Sequence, residues 1–575
     1  MGSSARGCDL GRGAALGAIA VVTLVVAACS VLVDHDDAQC TSDPDCVKFP
    51  GTICQNGGCV TAPTPPEGGI LDLDASLPVT CTSTQDCLAE HNNAPWVCRK
   101  ADGTCVSLLS QDCDSIAGSY TSDDTLLLGA VLPIDGPHAS TGLALTDAIT
   151  LGVDELDFGP SAGLPPTADG GLPRPIAVVL CDESAAPVRA ATHLTDDLDV
   201  PVILGTGDSA STLAIAQAFP RQELLFSPRA TADLSAYSAA GLLWRTCPSY
   251  AVEADAITAL LTRTIEPSFG RAIRVAILHA TDVASTELDA RLYSSLQAGD
   301  AGDAAATDAG DLIDVSYGDP DDPTNDPPEY GDAIAAVTQM SALPDVIVVL
   351  GSTQAAPNVV GGIETNWPPT SNRRPEYVLS SGLQVPELLA AVAANGGPSL
   401  APRILGTAPG SSPSSYSNLA SFLVRYRAMF DDGSLPGMFG AAQAYDALYT
   451  VAYAATVARN TDLVGIDVSQ ALGVMLDGGS PTRIDFGPEG IAPAFAALAS
   501  GSAVSLWGAS APLPFDTATG DVVTDVQVWC VEASSDSSSF VFQNSGLYYA
   551  PPSLVALDGG GAGRLEGLFG SGCTL

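Results

Sequence analysis

Lysine is nearly missing from this chain. Lys48 and Lys100 are the only two in 575 residues. Beyond Lys100 the sequence therefore excludes a phosphate-binding loop of the Walker A kind and any lysine Schiff base. Histidine is also scarce. His35, His91, His138, His193 and His279 are scattered, with no His-Glu-x-x-His or paired-histidine spacing, so no metal or cofactor is assigned. His279, at the end of a strand pattern, is read as structural. Positive charge is short overall: 22 Lys and Arg face 66 Asp and Glu, for a formal net charge of −44. Nucleic-acid binding needs a basic footprint and is excluded on that ground. Such charge suits a soluble, solvent-exposed protein. Apolar runs long enough to span a bilayer are missing too. The most apolar stretch, residues 14–26, is too short and too promptly interrupted. What is abundant is apolar content, 46% of residues, enough for a large core. The length suggests about three or four domains.

The N-terminus reads as an export signal. Arg6 and Arg12 supply its positive start, 14–26 its apolar region, and it ends in Val26-Ala27-Ala28-Cys29. That ending resembles the lipobox of bacterial lipoproteins. The resemblance implies cleavage after residue 28, a lipid-modified Cys29 and, from Ser30, sorting to the outer membrane. Anchoring through acyl chains contributes ~0.8 kcal/mol per buried CH₂. The mature chain is thereby expected outside the cytoplasm, where thiols oxidise.

Two cysteine modules follow. Cys40-Thr-Ser-Asp-Pro-Asp-Cys46 recurs as Cys81-Thr-Ser-Thr-Gln-Asp-Cys87, and the copies continue to Cys54 and Cys59, and to Cys98 and Cys105. Four cysteines in so short a segment imply two disulfides each in place of a hydrophobic core, with three pairings open per module. Zinc is the weaker alternative, because no C-x2-C pair exists. The modules resemble small Dickkopf- or EGF-like repeats of exported proteins. The Pro- and Gly-rich segment 61–69 reads as an extended linker. Five further cysteines, Cys113, Cys181, Cys247, Cys530 and Cys573, leave at least one unpaired, and Cys530 with Cys573 is read as pinning the C-terminal tail. Cys181 and Cys247 are expected on strands that are not neighbours.

From residue 125 apolar strand patterns (126–132, 176–181, 202–204, 224–226, 242–245, 274–278, 346–350, 377–379, 403–405) alternate with helical ones (142–156, 186–198, 211–218, 251–264, 443–457). Apolar strands separated by helices predict parallel sheets covered on both faces, here in two doubly wound lobes. Segments 159–174, 297–311 and 319–330 read as surface insertions. The last is acidic but lacks a calcium-loop pattern, and is expected to be solvated.

Several motifs, in this order, are Gly129-Ala130-Val131-Leu132-Pro133, Val202 to Thr212, Ser227 to Thr231, Trp244-Arg245-Thr246, Ala444 to Tyr449, and Leu513-Pro514-Phe515-Asp516 with Gly520-Asp521. Together they resemble the type I periplasmic binding proteins of the Leu/Ile/Val-receptor kind, over about residues 126 to 531. The resemblance implies two lobes joined by three crossings, near Ala251, Pro409 and Asp525, that close on a ligand. It places Ser209 where hydroxyl and N–H meet a ligand carboxylate, Arg229 where a backbone carbonyl meets the ammonium, and Thr231 where both groups are bound. The family's acidic residue for the ammonium falls at Ser381 and its tyrosines fall near Ala284 and Ser352, so Ser352 and Ser381 are the second-lobe candidates. A buried ammonium without a carboxylate is costly. A neutral or anionic solute is therefore expected rather than a free amino acid, with the Arg229 side chain either turned into the cleft toward an anion or pointing to solvent.

Gly207-Asp208-Ser209 resembles a GDS-type esterase but lacks that family's Leu and late Asp-x-x-His, and Gly410-Ser411-Ser412 lacks G-x-S-x-G spacing. No catalytic residue is assigned, and the chain reads as a binding protein, not an enzyme. The full expectation is a signal peptide (1–28), lipid-anchored linker (29–39), module 1 (40–59), linker (60–80), module 2 (81–105), linker (106–124), lobe 1 (125–250 and 409–525), lobe 2 (251–408 and 526–550) and a tail (551–575). The implied partners are a small polar solute in the inter-lobe cleft, the membrane through the lipid alone, and an ABC permease. The alternative is an outer-membrane scaffold using the same fold to bind an envelope protein.

Overall fold

The computed structural model describes residues 52–55, 58–61 and 80–573, apart from 160–161, 169, 221–222, 239–240, 299–311, 411–415, 432, 461, 535–538, 553–562 and 571–572. The signal segment, Cys29, Cys40, Cys46 and the side chains of Cys54 and Cys59 lie outside the described residues. The chain divides into two compact units, Met1–Leu77 and Pro78–Leu575. In the first, Thr52–Gln55 and Gly58–Thr61 form an antiparallel hairpin with Cys54 opposite Cys59. Among the described residues, no helix is long and apolar enough to cross a membrane.

The second unit opens with the second cysteine module. Helix Thr84–Glu90 begins in a capping box between Ser83 and Asp86 and leads to the hairpin Trp96–Arg99/Thr104–Ser107. Disulfides Cys81–Cys98 and Cys87–Cys105 choose one of the three pairings, first to third and second to fourth. The module leans on the body that follows. Arg99 donates to the carbonyls of Asp196 (3.2 Å) and Asp197 (3.1 Å), and the Thr84 N–H donates to Asp123 (2.6 Å).

The segment 106–124, expected to be a linker, instead contains strand Cys113–Gly118, which pairs antiparallel with Ile176–Asp182 and is bonded to it through Cys113–Cys181. Its sequence is half polar because it lies at a sheet edge with one exposed side, so no apolar run announces it. This first sheet has six strands, in the order Leu243–Arg245, Leu224–Ser227, Val202–Gly205, Leu126–Leu132, Ile176–Asp182, Cys113–Gly118, and all but the last are parallel. The second sheet has eight: Leu312–Ser316, Val275–His279, Val346–Leu350, Glu376–Leu379 and Ile404–Pro409 run parallel, then Val526–Ala533, Phe540–Ala550 and Arg564–Gly567 add antiparallel. The tail thus contributes a strand, and Cys530–Cys573 ties it down. Cys247 is the free cysteine among the described residues, and it is buried.

Strands such as Val346–Leu350 are buried along their whole length because helices cover both faces. The long helix Ala441–Ala458 is buried at 16 of its 18 residues. The stripe of Tyr445, Leu448, Tyr449, Ala452 and Ala455 at helical spacing is therefore only part of its contact surface, as in a helix of a large core. It packs against Ala139–Phe158, where the Glu155 carboxylate accepts from Arg425 (2.6 Å) and from the hydroxyls of Tyr445 and Tyr449 (the latter 2.7 Å).

The chain crosses between the sheets three times: after Arg245, after Pro409 and before Val526. The crossings are bonded side by side. The Gly410 N–H donates to the Asp525 carbonyl (2.9 Å), the Gln443 amide to the Pro409 carbonyl (3.0 Å) and the Thr246 hydroxyl to the Gln443 carbonyl (2.8 Å). Arg245, buried beside them, donates to Asp521 and to the carbonyls of Ala230 and Ala232. These bonds leave the crossings as a narrow, ordered hinge.

Candidate functional site

The carboxyl ends of the strands in both sheets open onto the gap between the lobes. This is where ligands sit in an open α/β sheet. On the first lobe, Gly205 turns the chain with φ 138, and a Cβ there would lie 2.2 Å from the Val131 carbonyl oxygen, so only glycine fits. The turn leads to helix Ser209–Ala218, capped by Asp208, whose carboxylate accepts from the Ser211 N–H (2.8 Å). The Ser209 hydroxyl accepts from the N–H groups of Thr231 (3.1 Å) and Ala232 (3.2 Å). Ser209 and Thr231, expected together from sequence, are therefore neighbours, with Ser209 bracing the loop that carries Thr231. The Thr231 carbonyl accepts from the Tyr250 N–H (2.7 Å), which links that loop to the first hinge helix.

On the second lobe, loops Gly351-Ser352-Thr353 and Ser380-Ser381-Gly382 lie against each other. A Cβ on Gly382 would lie 2.1 Å from the Gly351 carbonyl oxygen, and the Gly351 N–H donates to the Ser380 hydroxyl (3.2 Å). Ser352 and Ser381 are thus brought together. Ser381 is buried, and both its N–H (2.7 Å) and its hydroxyl (2.9 Å) donate to Glu253, which also accepts from Thr407 (2.9 Å).

The Arg229 side chain is half-buried beside Glu183 and His138, whose pKa values its charge lowers. It donates to the Gly207 (2.9 Å) and Phe439 carbonyls and stacks 4.9 Å from the Phe439 ring centroid. Burial pulls its pKa down to about 10, which still leaves it charged at neutral pH. With those bonds made, the guanidinium ties the two first-lobe loops to the hinge.

Sequence reasoning missed a set of ionisable groups here. Glu183 follows strand Ile176–Asp182, is buried, and accepts from the Gly207 N–H (3.1 and 3.2 Å). Burial, with the charge of Asp208, holds its pKa well above the usual carboxylate range. Burial likewise raises Glu253 and Asp282. His138, after the first strand, reaches across the gap: Nδ1 lies 3.0 Å from the Thr353 hydroxyl and Nε2 2.8 Å from Asp321. Burial alone would lower its pKa. The hydrogen bond and charge of Asp321, with the charge of Asp208, outweigh that and raise it. Ser140 to Glu387 (3.1 Å) and the Asp233 N–H to Glu287 (2.7 Å) also join the lobes. The acidic insertion 319–330, expected to be merely solvated, thus supplies a closing contact through Asp321. Strand-end position alone could have flagged Glu183 and His138. Nothing in the sequence marks Asp321.

Two α/β lobes, three adjacent crossings and facing strand ends decide the architecture. This is the type I periplasmic binding protein fold. Solved structures share it. One is the branched-chain amino acid transporter substrate binding protein LivJ from Streptococcus pneumoniae in complex with isoleucine (19% identity, TM-score 0.52, covering 73% of this chain and 99% of that one). Another is the leucine binding protein LivK from Thermotoga maritima (16%, 0.52, 73% and 97%). A third is an ABC-transporter solute binding protein from Rhodopseudomonas palustris BisB5 in complex with 3,4-dihydroxybenzoic acid (17%, 0.51, 73% and 97%). At such identities the type I fold is what is shared. No family model matches the chain, and no curated protein matches it.

Proposed function

We propose that this protein is an extracytoplasmic solute-binding protein, anchored by a lipid on Cys29, that closes its two lobes on a small polar ligand and presents it to an ABC-type permease. The observation that carries the reading is the type I fold with strand-end loops of both lobes converging on one gap. The four disulfides of the second unit support an oxidising compartment. Ser209 and Thr231 on one wall and Ser352 on the other are the candidate ligand contacts, whereas Ser381, also expected there, gives its N–H and hydroxyl to Glu253; no catalytic role is proposed for any of them. Glu183, Asp208, Asp282 and Asp321 crowd the same region, while the charge of Arg229 is spent on carbonyls. The walls thus favour a neutral polar ligand, which narrows the neutral or anionic solute expected from the sequence. The test is calorimetric titration of a bound solute into the wild type, Ser209→Ala and Thr231→Ala. The reading expects each variant to bind about 5- to 150-fold more weakly, from the ~1–3 kcal/mol cost of an unpaired buried group. Equal affinity in both variants removes these residues from the site.

A second reading, a scaffold for an envelope protein, is favoured by one observation. Ser381 and Arg229 use their polar groups inside the protein, and His138 bridges the lobes directly. A pull-down from envelope extract that captures one partner in stoichiometric amount, with no solute bound, supports it over the first.

A further inference from the structure

The second lobe carries a cluster that the solute-binding reading does not use. His279 ends the strand Val275–His279, Asp314 lies on the adjacent strand Leu312–Ser316, and Asp289 comes from helix Val283–Ala298, which covers that face. The register sets Ile277 opposite Asp314, so Asp314 and His279 lie diagonally on one side of the sheet. His279 is 9% exposed and Asp289 7% exposed. His279 Nε2 lies 3.3 Å from Asp314 Oδ1 and 3.9 Å from Asp289 Oδ2.

The hydrogen bonds around these groups make the cluster unusual. His279 Nδ1 is 2.8 Å from the Ala280 carbonyl oxygen, so Nδ1 is the nitrogen that carries a hydrogen. The other ring nitrogen, Nε2, faces the two carboxylates. Asp289 Oδ1 is buried without a hydrogen-bond partner. Two carboxylates converging on Nε2 in a buried place call for positive charge between them, which a proton on Nε2 or a bound cation supplies. A ring N–H held by a backbone carbonyl is also how a metal-ligating histidine is usually fixed. For metal–ligand bonds of about 2.0–2.2 Å, the ligand atoms of a tetrahedral site lie roughly 3.3–3.6 Å apart. The 3.3 Å edge matches, and the 3.9 Å edge and the third, within 4.8 Å, would have to close on the ion.

We propose that His279, Asp289 and Asp314 form a divalent-cation site whose preferred ion is Zn²⁺. One imidazole nitrogen and two carboxylates suit zinc, and the two negative charges balance the ion. Asp314 is about one-third exposed, which gives the ion an entry path and leaves room for a water as fourth ligand. The site would staple helix Val283–Ala298 to the sheet.

The test is a Zn²⁺ titration of the whole protein by competition with a chromophoric chelator, together with the visible spectrum of the Co²⁺-loaded form. The proposal expects one tight site per chain and a tetrahedral Co²⁺ spectrum. His279→Gln and Asp314→Asn should each weaken that site by more than about 100-fold, beyond the 10- to 100-fold typical of an outer-shell change. His91→Gln, far from the cluster, should leave it intact. Asp314 is on the surface, so its variant keeps the test valid if the His279 variant fails to fold. Absence of a stoichiometric tight site, or a tight site unchanged in Asp314→Asn, overturns the proposal.

Discussion

Asp157 shows how a single buried group sets a pH dependence. One carboxylate oxygen accepts from the Ile176 N–H (2.9 Å), and the other is buried without a partner. Burial raises its pKa from the ordinary value to about 6. Between roughly pH 4 and 6 the folded protein holds a proton that the unfolded chain has released, so this group's contribution to stability falls as pH rises through that window. Asp157→Asn keeps the acceptor for Ile176 and cannot ionise. Urea melts should therefore show it matching the wild type near pH 4 and exceeding it by about 1–2 kcal/mol at pH 8. A pH-independent difference would place the effect elsewhere. At this scale the sequence was only partly legible. Ser209 and Thr231 were named by position from the family resemblance, and the structure sets them side by side. The orientation of Arg229 could not be read, because it depends on the Phe439 carbonyl, distant along the chain. Glu253 was hidden for the same reason: its partners Ser381 and Thr407 arrive from other strands.

Among the elements, the apolar parallel strands and the long interior helix were readable, since burial on both faces imposes continuous apolar runs. Edge elements were not. Cys113–Gly118 and Arg564–Gly567 are short, half polar and defined by their partners' backbones and by the disulfides beside them. Cys113–Cys181 closes a loop of 68 residues and pins such an edge strand to its neighbour. Replacing both cysteines by alanine should cost about 2–4 kcal/mol in chemical denaturation. The lost protection should be concentrated in the strand 113–118 in hydrogen exchange. Uniform loss over both lobes would mean that the bond secures the whole fold rather than its edge.

For the whole molecule, the proposed closure of the lobes on a ligand predicts a pH dependence. His138 bridges the lobes and has a raised pKa. Its contribution is fully present below the ordinary imidazole value of about 6.5 and is lost as pH rises through the raised value. Asp321 and Asp208 favour the charged ring, while Arg229 opposes it. Small-angle scattering should show a larger radius of gyration at pH 9 than at pH 6, and Asp321→Asn should abolish the difference. An Asp321→Asn protein that keeps it would assign the switch to other groups. The architecture was legible from motif order, but the closing contacts were not, because they join loops from two lobes.

The measurement that tests the account most directly is a thermal-shift screen of the purified protein against amino acids, amides, amines, carboxylates, sugars and short peptides. A ligand at 100 times its Kd stabilises the fold by ~2.7 kcal/mol, a clear rise in Tm. The account predicts such a rise for a neutral polar solute, diminished in Ser209→Ala and Thr231→Ala. A well-folded protein that no solute stabilises, or a rise undiminished in both variants, would contradict a solute-binding cleft at these residues.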